Sequence, residues 1–214
     1  MQRNIMKEMQ CINLFSRTRL QGYTDTQEHE ANLALIASIS HKIGIAELII
    51  RNKIDTLMCE KSLNWLENLP ENLELKGDIN IQSRDKLISI QNLWLKLVEH
   101  YKIHNQIFEL KFLDNLDFKK YFKKNKTTFK SRHNRLLRHH KVTIILALLK
   151  LIRNRAFHFE NLYKMNAKGP RLSVTICNHQ GQKAIISIHP SKIKEFLNDI
   201  IASFDKDLIY YAEC

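Results

Sequence analysis

The segment VTIILALLKLI, residues 142–152, is the feature that most limits how this chain can fold. Only Thr143 and Lys150 interrupt its apolar residues. A helix that is apolar on almost every side must be covered by other elements in all directions. The sequence therefore predicts a central, deeply buried helix, which we place within residues 131–163, and an all-α bundle around it.

Other segments have the apolar spacing of helices that could surround this one. Residues 28–58 keep apolar side chains three or four positions apart, and residues 82–100 show the same spacing. One or two short helices are predicted between 105 and 124. A final amphipathic helix is predicted over 190–204, with Ser191 as a candidate cap of its first turn. Together these segments indicate a mainly helical fold.

A short β-hairpin is predicted before the last helix. The runs RLSVTI and KAIISI are rich in β-branched residues, and they flank NHQGQ with its turn-forming Asn178 and Gly181. We place this hairpin at about 171–189. The chain of 214 residues is long enough for one good-sized core, and we predict a single domain over residues 1–214.

Gly44 lies in the middle of the predicted helix over residues 28–58. A glycine inside a helix costs about 1 kcal/mol relative to alanine. Close packing against a neighbouring helix would explain why a residue without a side chain stands there.

The segment LIRNRAFHFENLY, residues 151–163, places polar groups directly after the apolar run. Asn154 and His158 are four residues apart and share a helix face, and the long side chain of Arg153 can reach the same place. Arginine offers permanently charged donors to a phosphate, and histidine exchanges protons near neutral pH. These residues suit phosphodiester chemistry. The alternative is that they only complement the dipole at the end of the helix.

A basic segment between Lys119 and Lys141 contains ten Lys or Arg residues and no acid, so it supplies most of the net charge of +12. Such a field attracts polyanions, and interleaved aromatic residues could stack on the bases of single-stranded RNA. These aromatics are Tyr121, Phe122 and Phe129. The predicted RNA-binding residues are Lys119, Lys120, Lys123, Lys124, Lys126, Lys130, Arg132, Arg135 and Arg138.

Two other interpretations of the basic segment stay open. It can be a solvated surface whose aromatics belong to the core. It can also bind DNA through RHNRLLRHHK, residues 132–141, although no helix-turn-helix spacing supports that role. Because the segment immediately precedes the helix that carries Arg153 and His158, we expect it to lie beside them.

The sequence predicts no metal and no cofactor. The four cysteines are scattered and form no C-x-x-C pair, so we interpret them as free thiols. Neighbouring histidines in the basic segment have no recognisable metal-ligand spacing. The residues concerned are Cys11, Cys59, Cys177, Cys214, His133, His139 and His140. No run of about 18 apolar residues and no signal-peptide core are visible, so we expect a cytoplasmic protein that does not engage membranes.

The pattern R-N-x-x-x-H after an apolar helix, here Arg153 to His158, resembles the signature of the HEPN superfamily. A second segment, AELIIRNKID at residues 46–55, resembles the L-E-x-x-L-R-N segment of Abi-like (abortive-infection) HEPN proteins. Many of those proteins have a second histidine after the first, and Phe159 stands at that position here. The resemblance implies a HEPN-type helical bundle with the small hairpin before its C-terminal helix.

The resemblance also implies a function, which is metal-independent endoribonuclease activity in phage defence or as a toxin. The RNA 2′-hydroxyl would attack the adjacent phosphate, giving a 2′,3′-cyclic phosphate and a 5′-hydroxyl. His158 would exchange the proton, Arg153 would stabilise the phosphate charge, and Asn154 would orient the reacting groups. From its place on the first long helix, Glu47 could pair with Arg153 or Arg51 and fix the arginine for phosphate, or it could only satisfy a buried charge. The family implies a homodimer with a composite site, and an antitoxin or regulatory partner is possible. The alternative is a non-catalytic helical module that binds RNA or a partner protein.

Overall fold

Helices form most of the part of the chain that the structure describes. The computed structural model describes residues 15–69, 73, 91–129, 134–167 and 169–212. The α-helices are α1 (Arg17–Leu20), α2 (Thr26–Cys59), α3 (Gln91–His100), α4 (His104–Ile107), α5 (Leu110–Asn115), α6 (Arg138–Phe157), α7 (Ile193–Ala202) and α8 (Leu208–Tyr211). The strands are β1 (Met165–Asn166), β2 (Gly169–Pro170), β3 (Ser173–Cys177) and β4 (Lys183–Ser187), and short 3-10 turns occupy Phe118–Lys120 and Pro190–Lys192. The mainly helical fold class is confirmed.

Helix α6 is the central element that the apolar run predicts. Its side chains are buried along most of the helix, and Val142, Ile145 and Ile152 are fully inaccessible to solvent. The helix packs against α2, α3, α4, α5 and strand β3. Between its two ends, the helix carries only Thr143 and Lys150 as polar residues, and both are half-buried.

Helix α6 is shorter than the predicted span of residues 131–163. At its start, residues 134–136 pair with the preceding loop through Phe129 N to Asn134 O (2.8 Å) and Leu136 N to Thr127 O (3.1 Å). These bonds hold the backbone extended until Leu137. At its other end, the backbone leaves the helix after Phe157.

Helix α2 is the long partner of the central helix. Asp25 caps its first turn by accepting a hydrogen bond from Glu28 N at 2.7 Å. Ile39, Ile43 and Ile50 are fully buried where α2 meets α6 and α7. By length and composition, α2 is the one described helix that could cross a membrane, although core helices of water-soluble proteins satisfy the same test.

The predicted hairpin is present. Strands β3 and β4 pair antiparallel from Ser173–Ser187 to Cys177–Lys183, and Gly181 adopts φ 72° in the turn. Strand β3 packs on α6, so the hairpin covers part of the central helix. A second, two-residue pairing between β1 and β2 has no clear signal in the sequence.

The helices predicted over 82–100 and 190–204 differ from their predictions in extent and in capping. The predicted helix over 82–100 is described only for 91–100, and the residues before it lie outside the described part of the chain. The last helix begins with a 3-10 turn at Pro190 and becomes α-helical at Ile193. Its cap is not Ser191, because the side chain of His189 accepts the hydrogen bond from Ser191 N.

The packing explanation for Gly44 is wrong. This glycine is exposed, and a Cβ added to it would have no neighbour within 4 Å. Nothing in the structure therefore requires a glycine in the middle of α2.

Gly44→Ala should stabilise the protein by about 1 kcal/mol, because alanine restricts the unfolded chain without creating a clash. For a domain of this size the melting temperature should rise by about 2 to 4 °C. Thermal denaturation followed by circular dichroism measures this shift. An unchanged or lower melting temperature would show that Gly44 has a packing role that the open surface does not reveal.

Candidate active site

The polar residues Arg153, Asn154 and His158 lie at the C-terminal end of α6, where the helix stops in a Schellman arrangement. Phe159 N donates to Ala156 O at 2.9 Å, and Glu160 N donates to Arg155 O at 2.8 Å. Phe159 has φ 52°, a left-handed conformation that is unfavourable for a residue with a Cβ atom. The surrounding contacts must therefore hold this turn in place.

Buried asparagines supply those contacts. Asn32, fully buried on α2, donates to Glu160 O at 3.2 Å and accepts from Leu162 N at 2.8 Å. Asn161 donates to Glu28 Oε1 at 2.7 Å and accepts from Tyr163 N at 2.8 Å. The start of α2 thus fixes the segment that follows the motif helix. These two asparagines are neither charged nor part of a motif, so sequence reasoning missed them.

A second set of contacts holds the carbonyl groups of the turn. The Arg19 guanidinium donates to His158 O (3.4 Å) and Phe159 O (3.1 Å), and the Tyr23 hydroxyl donates to Phe159 O (3.3 Å). Partial burial raises the pKa of the Tyr23 phenol, so it remains a hydrogen-bond donor at neutral pH. The backbone at His158 is consequently fixed on both sides.

The structure brings three of the four predicted catalytic residues together. Glu47 Oε1 on α2 lies 3.6 Å from Arg153 Nε, and Arg153 Nη1 donates to Asn154 Oδ1 at 3.2 Å. The guanidinium carbon also lies 5.6 Å from the centre of the Phe157 ring. The Arg153–Glu47 distance is that of an ion pair, too long for a hydrogen bond. About 39% of the Arg153 side chain remains exposed, so an anion can reach it.

His158, the fourth residue, is exposed one turn beyond Asn154 and lines a cleft of about 410 Å³. Within the described residues its imidazole makes no side-chain hydrogen bond, so Asn154 does not orient it here. Three cations that the sequence analysis missed, Arg19, Lys164 and Arg171, line the same cleft. Arg153 and Asn154 are not among its lining residues, so one chain presents the arginine and the histidine on adjoining surfaces.

The Glu160 side chain forms ion pairs that connect two parts of the fold. Its Oε2 lies 2.5 Å from Arg155 Nη1 and 2.7 Å from Arg171 Nη2, so it joins the end of α6 to the segment before β3. A glutamate between two arginines limits the positive charge of the cleft and orients Arg171.

Several residues of the basic segment, which were predicted to bind RNA, are instead paired with carboxylates or buried. Lys120 binds Asp199 (2.7 Å), and Arg138 forms a two-fold hydrogen bond with Asp114 (2.7 Å for each). The proposed stacking role of Tyr121 and Phe129 is wrong, because they are only 1% and 3% exposed. Tyr121 instead donates to Asp199 at 2.6 Å, and burial with this bond raises its pKa.

The remaining predicted RNA-binding residues divide into two groups. The first group is exposed and, in the part of the chain that the structure describes, has no ion-pair partner. It contains Lys119, Lys123, Lys124, Lys126 and Arg135. Lys130 and Arg132 lie outside the described residues.

The expected position of the basic segment beside the motif is only partly correct. Arg138 starts α6 and Arg153 comes fifteen residues later, which is about 22 Å along a helix. Near the other end of the segment, the Phe122 ring lies 3.4 Å from where a Cβ added to Gly169 would stand, in the β2 strand eleven residues after His158. The structure thus places the Arg138 end of the segment away from the motif.

No group of three or more His, Cys, Asp or Glu residues in the described ranges has an arrangement that could hold a metal ion. Cys59 and Cys177 are free thiols in the structure, and Cys11 and Cys214 lie outside the described residues. Comparison with protein-family models, with curated proteins and with solved structures finds no match for the chain. The functional interpretation therefore rests on the site itself.

Asn32→Ala should destabilise the protein by about 2 to 3 kcal/mol, because it leaves the buried Leu162 N–H and Glu160 C=O without partners. Chemical denaturation measures the change in the free energy of unfolding. Asn52→Ala is the matched control on the exposed side of the same helix and should change it by less than about 0.5 kcal/mol. Equal effects of the two substitutions would show that Asn32 does not hold the turn.

Proposed function

We propose that the protein is a HEPN-type, metal-independent endoribonuclease that cleaves RNA at the C-terminal end of α6. The observation that carries the proposal is the array Glu47–Arg153–Asn154, held one turn before an exposed histidine beside a basic cleft. A fixed arginine for phosphate and an exposed imidazole for proton transfer are the two groups that RNA transesterification needs.

In the proposed reaction the ribose 2′-oxygen attacks the adjacent phosphorus, and the bond from phosphorus to the 5′-oxygen breaks. The neutral His158 imidazole of one protomer accepts the 2′-hydroxyl proton. The protonated His158 imidazole of the second protomer supplies a proton to the leaving 5′-oxygen. Arg153 stabilises the negative charge that develops on the non-bridging phosphate oxygens, a contribution of several kcal/mol in water-excluded sites. The products are a 2′,3′-cyclic phosphate and a 5′-hydroxyl.

A homodimer would complete this site. One histidine cannot easily act as base and acid in the same step, and two copies related by a two-fold axis supply both groups. Exposed apolar side chains surround the motif and support an interface there: Leu48, Phe157 and Phe159 are each 43 to 49% exposed. A partner chain could also bring its Arg153 to the cleft of the first chain's His158.

An RNase that is always active would damage its own cell. We therefore include in the proposal a cytoplasmic role in phage defence or as a toxin, restrained by an antitoxin or another regulatory partner. No metal or cofactor takes part in the proposed step.

The alternative is a non-catalytic module that binds RNA or a partner protein with the same surfaces. The observation that favours it is the arrangement within one chain, where Arg153 does not line the cleft of His158. This alternative predicts binding without cleavage.

Arg153→Ala and His158→Ala should each lower RNA cleavage in EDTA by about 10²-fold or more, because each removes a group used in the transition state. The measurement is the initial rate of cleavage of a labelled RNA by purified protein. His100→Ala, at an exposed histidine that ends α3, is the control and should keep the wild-type rate. Cleavage that survives both substitutions would contradict the proposed site. RNA binding without any cleavage would support the non-catalytic module.

Lys123→Gln/Lys124→Gln/Lys126→Gln should weaken RNA binding and make it less salt-dependent, because these exposed lysines are free to neutralise phosphates. For single strands the slope of log K against log salt should fall by about 0.7 for each lost contact. Lys120→Gln/Arg138→Gln removes cations that carboxylates already neutralise and should change the slope much less. Equal changes in both variants would exclude a specific role for the exposed lysines.

A further inference from the structure

A second cleft, of about 900 Å³, lies at the opposite end of α6 from His158. Three separate parts of the fold enclose it: α4 with the loop before it, the first turn of α6 with the loop that leads into it, and the end of β3 with its turn. The volume is within the range of small-molecule binding sites. His139 and His158 are nineteen residues apart, about 28 Å along a helix, so this cleft is distinct from the motif.

Four of the described residues that line the cleft are histidines, and three of these lie close together. The ring centres of His139 and His140 are 3.9 Å apart, and those of His104 and His139 are 6.0 Å apart. His179, on the turn after β3, also lines the cleft. The Phe129 ring packs against His140 with its centre 4.9 Å away. Flat rings that line a cleft of this size provide surfaces on which a nucleobase can stack.

The other charged groups of the cleft are mainly cationic. Lys102 and Arg135 line it, and Glu99 is the one carboxylate among the described lining residues. Both cations are exposed and, within the described residues, form no ion pair, so they can contact a phosphate. The two cations that would attract a phosphate therefore line the same cleft as the imidazoles.

A hydrogen bond from the backbone determines the tautomer of His140. Its Nδ1 accepts from Leu137 N at 3.1 Å, so the neutral ring carries its proton on Nε2. Protonating Nδ1 would break this bond. Burial and the neighbouring imidazoles lower the pKa of His140 to about 4, and burial lowers the pKa of His104 and His139. His140 therefore acts as a neutral ring, and a bound anion would favour the charged forms of His104 and His139.

We propose that this histidine cleft is a second ligand site that binds a nucleotide, with the base stacked on the imidazoles and the phosphate held by Lys102 and Arg135. The nucleotide can be free or part of a strand, because both sources present the same base and phosphate. The site requires no cleavage activity, so it stands or falls independently of the proposed nuclease.

The proposal gives a definite pH dependence. A bound anion favours the charged form of nearby imidazoles, so nucleotide affinity rises as the pH falls through their pKa range. A phosphodiester gains no proton in this range, so the protein alone causes the change. Among the described residues, the titratable and charged groups that line the cleft are Glu99, Lys102, His104, Arg135, His139, His140, Cys177 and His179.

The test uses the full-length protein and the deoxydinucleotide d(ApA), which has one phosphodiester and no 2′-hydroxyl to be cleaved. Isothermal titration calorimetry should show saturable binding that is at least tenfold tighter at pH 5.5 than at pH 7.5. His104→Gln/His139→Gln should weaken binding at pH 5.5 at least tenfold and remove most of the pH dependence. His41→Gln removes an imidazole outside the cleft and should bind like wild type.

Further ligands separate the possible sources. Adenosine, which has no phosphate, should bind at least tenfold more weakly than d(ApA). Adenosine monophosphate that binds as tightly as d(ApA) would identify a free nucleotide as the ligand, and a deoxyoligonucleotide of twelve residues that binds far more tightly would identify a strand. Either result supports the site.

Histidine NMR signals provide a measurement that needs no variant. On addition of d(ApA) the ring signals of His104, His139 and His179 should shift, and those of His41 and His189 should not. Absence of saturable binding, equal affinity for adenosine and d(ApA), or wild-type binding by the double variant would overturn the proposal. Equal shifts of His41 and His189 would overturn it too.

Discussion

The burial of helix α6 beneath five other elements determines how the rest of the structure is arranged. Val142, Ile145 and Ile152 are completely inaccessible, and α2, α3, α4, α5 and β3 pack around the helix. Between its ends, α6 presents only the half-buried Thr143 and Lys150 as polar residues. The two candidate sites, the arginine–histidine motif and the histidine cleft, lie toward the two ends of this helix.

The motif end of α6 depends on buried polar contacts. Phe159 adopts a left-handed conformation there, and such conformations persist only when surrounding bonds impose them. Asn32 and Arg19 make those bonds from α2 and from the segment before it. Hydrogen bonds from the start of α2 and from the segment before it therefore help to fix the backbone at His158.

The sequence predicted what depends on local pattern. The central helix, the long helix α2 and the β3–β4 hairpin follow from apolar spacing and turn residues. Arg153 was one of two partners expected for Glu47, the other being Arg51, and the structure pairs Glu47 with Arg153. Features that depend on distant partners were not predictable. Loop pairing delays the start of α6. Asp199, 78 residues away in sequence, binds Tyr121 and keeps it from any base.

The charge pattern shows the same distinction. Ten basic residues in one segment indicate a polyanion partner, but the sequence cannot show which of them carboxylates already neutralise. In the structure Lys120 and Arg138 are paired, whereas Lys123, Lys124 and Lys126 are exposed. Likewise, the four histidines of the second cleft come from three distant parts of the chain, so their proximity becomes visible only in the fold.

The most direct test of the proposed chemistry is the identity of the ends that the protein leaves on RNA. Mass spectrometry of fragments produced in EDTA should find 2′,3′-cyclic phosphates and 5′-hydroxyls, because the 2′-oxygen is the nucleophile and no metal takes part. Fragments with 3′-hydroxyl and 5′-phosphate ends, or cleavage that requires a divalent metal ion, would contradict the account.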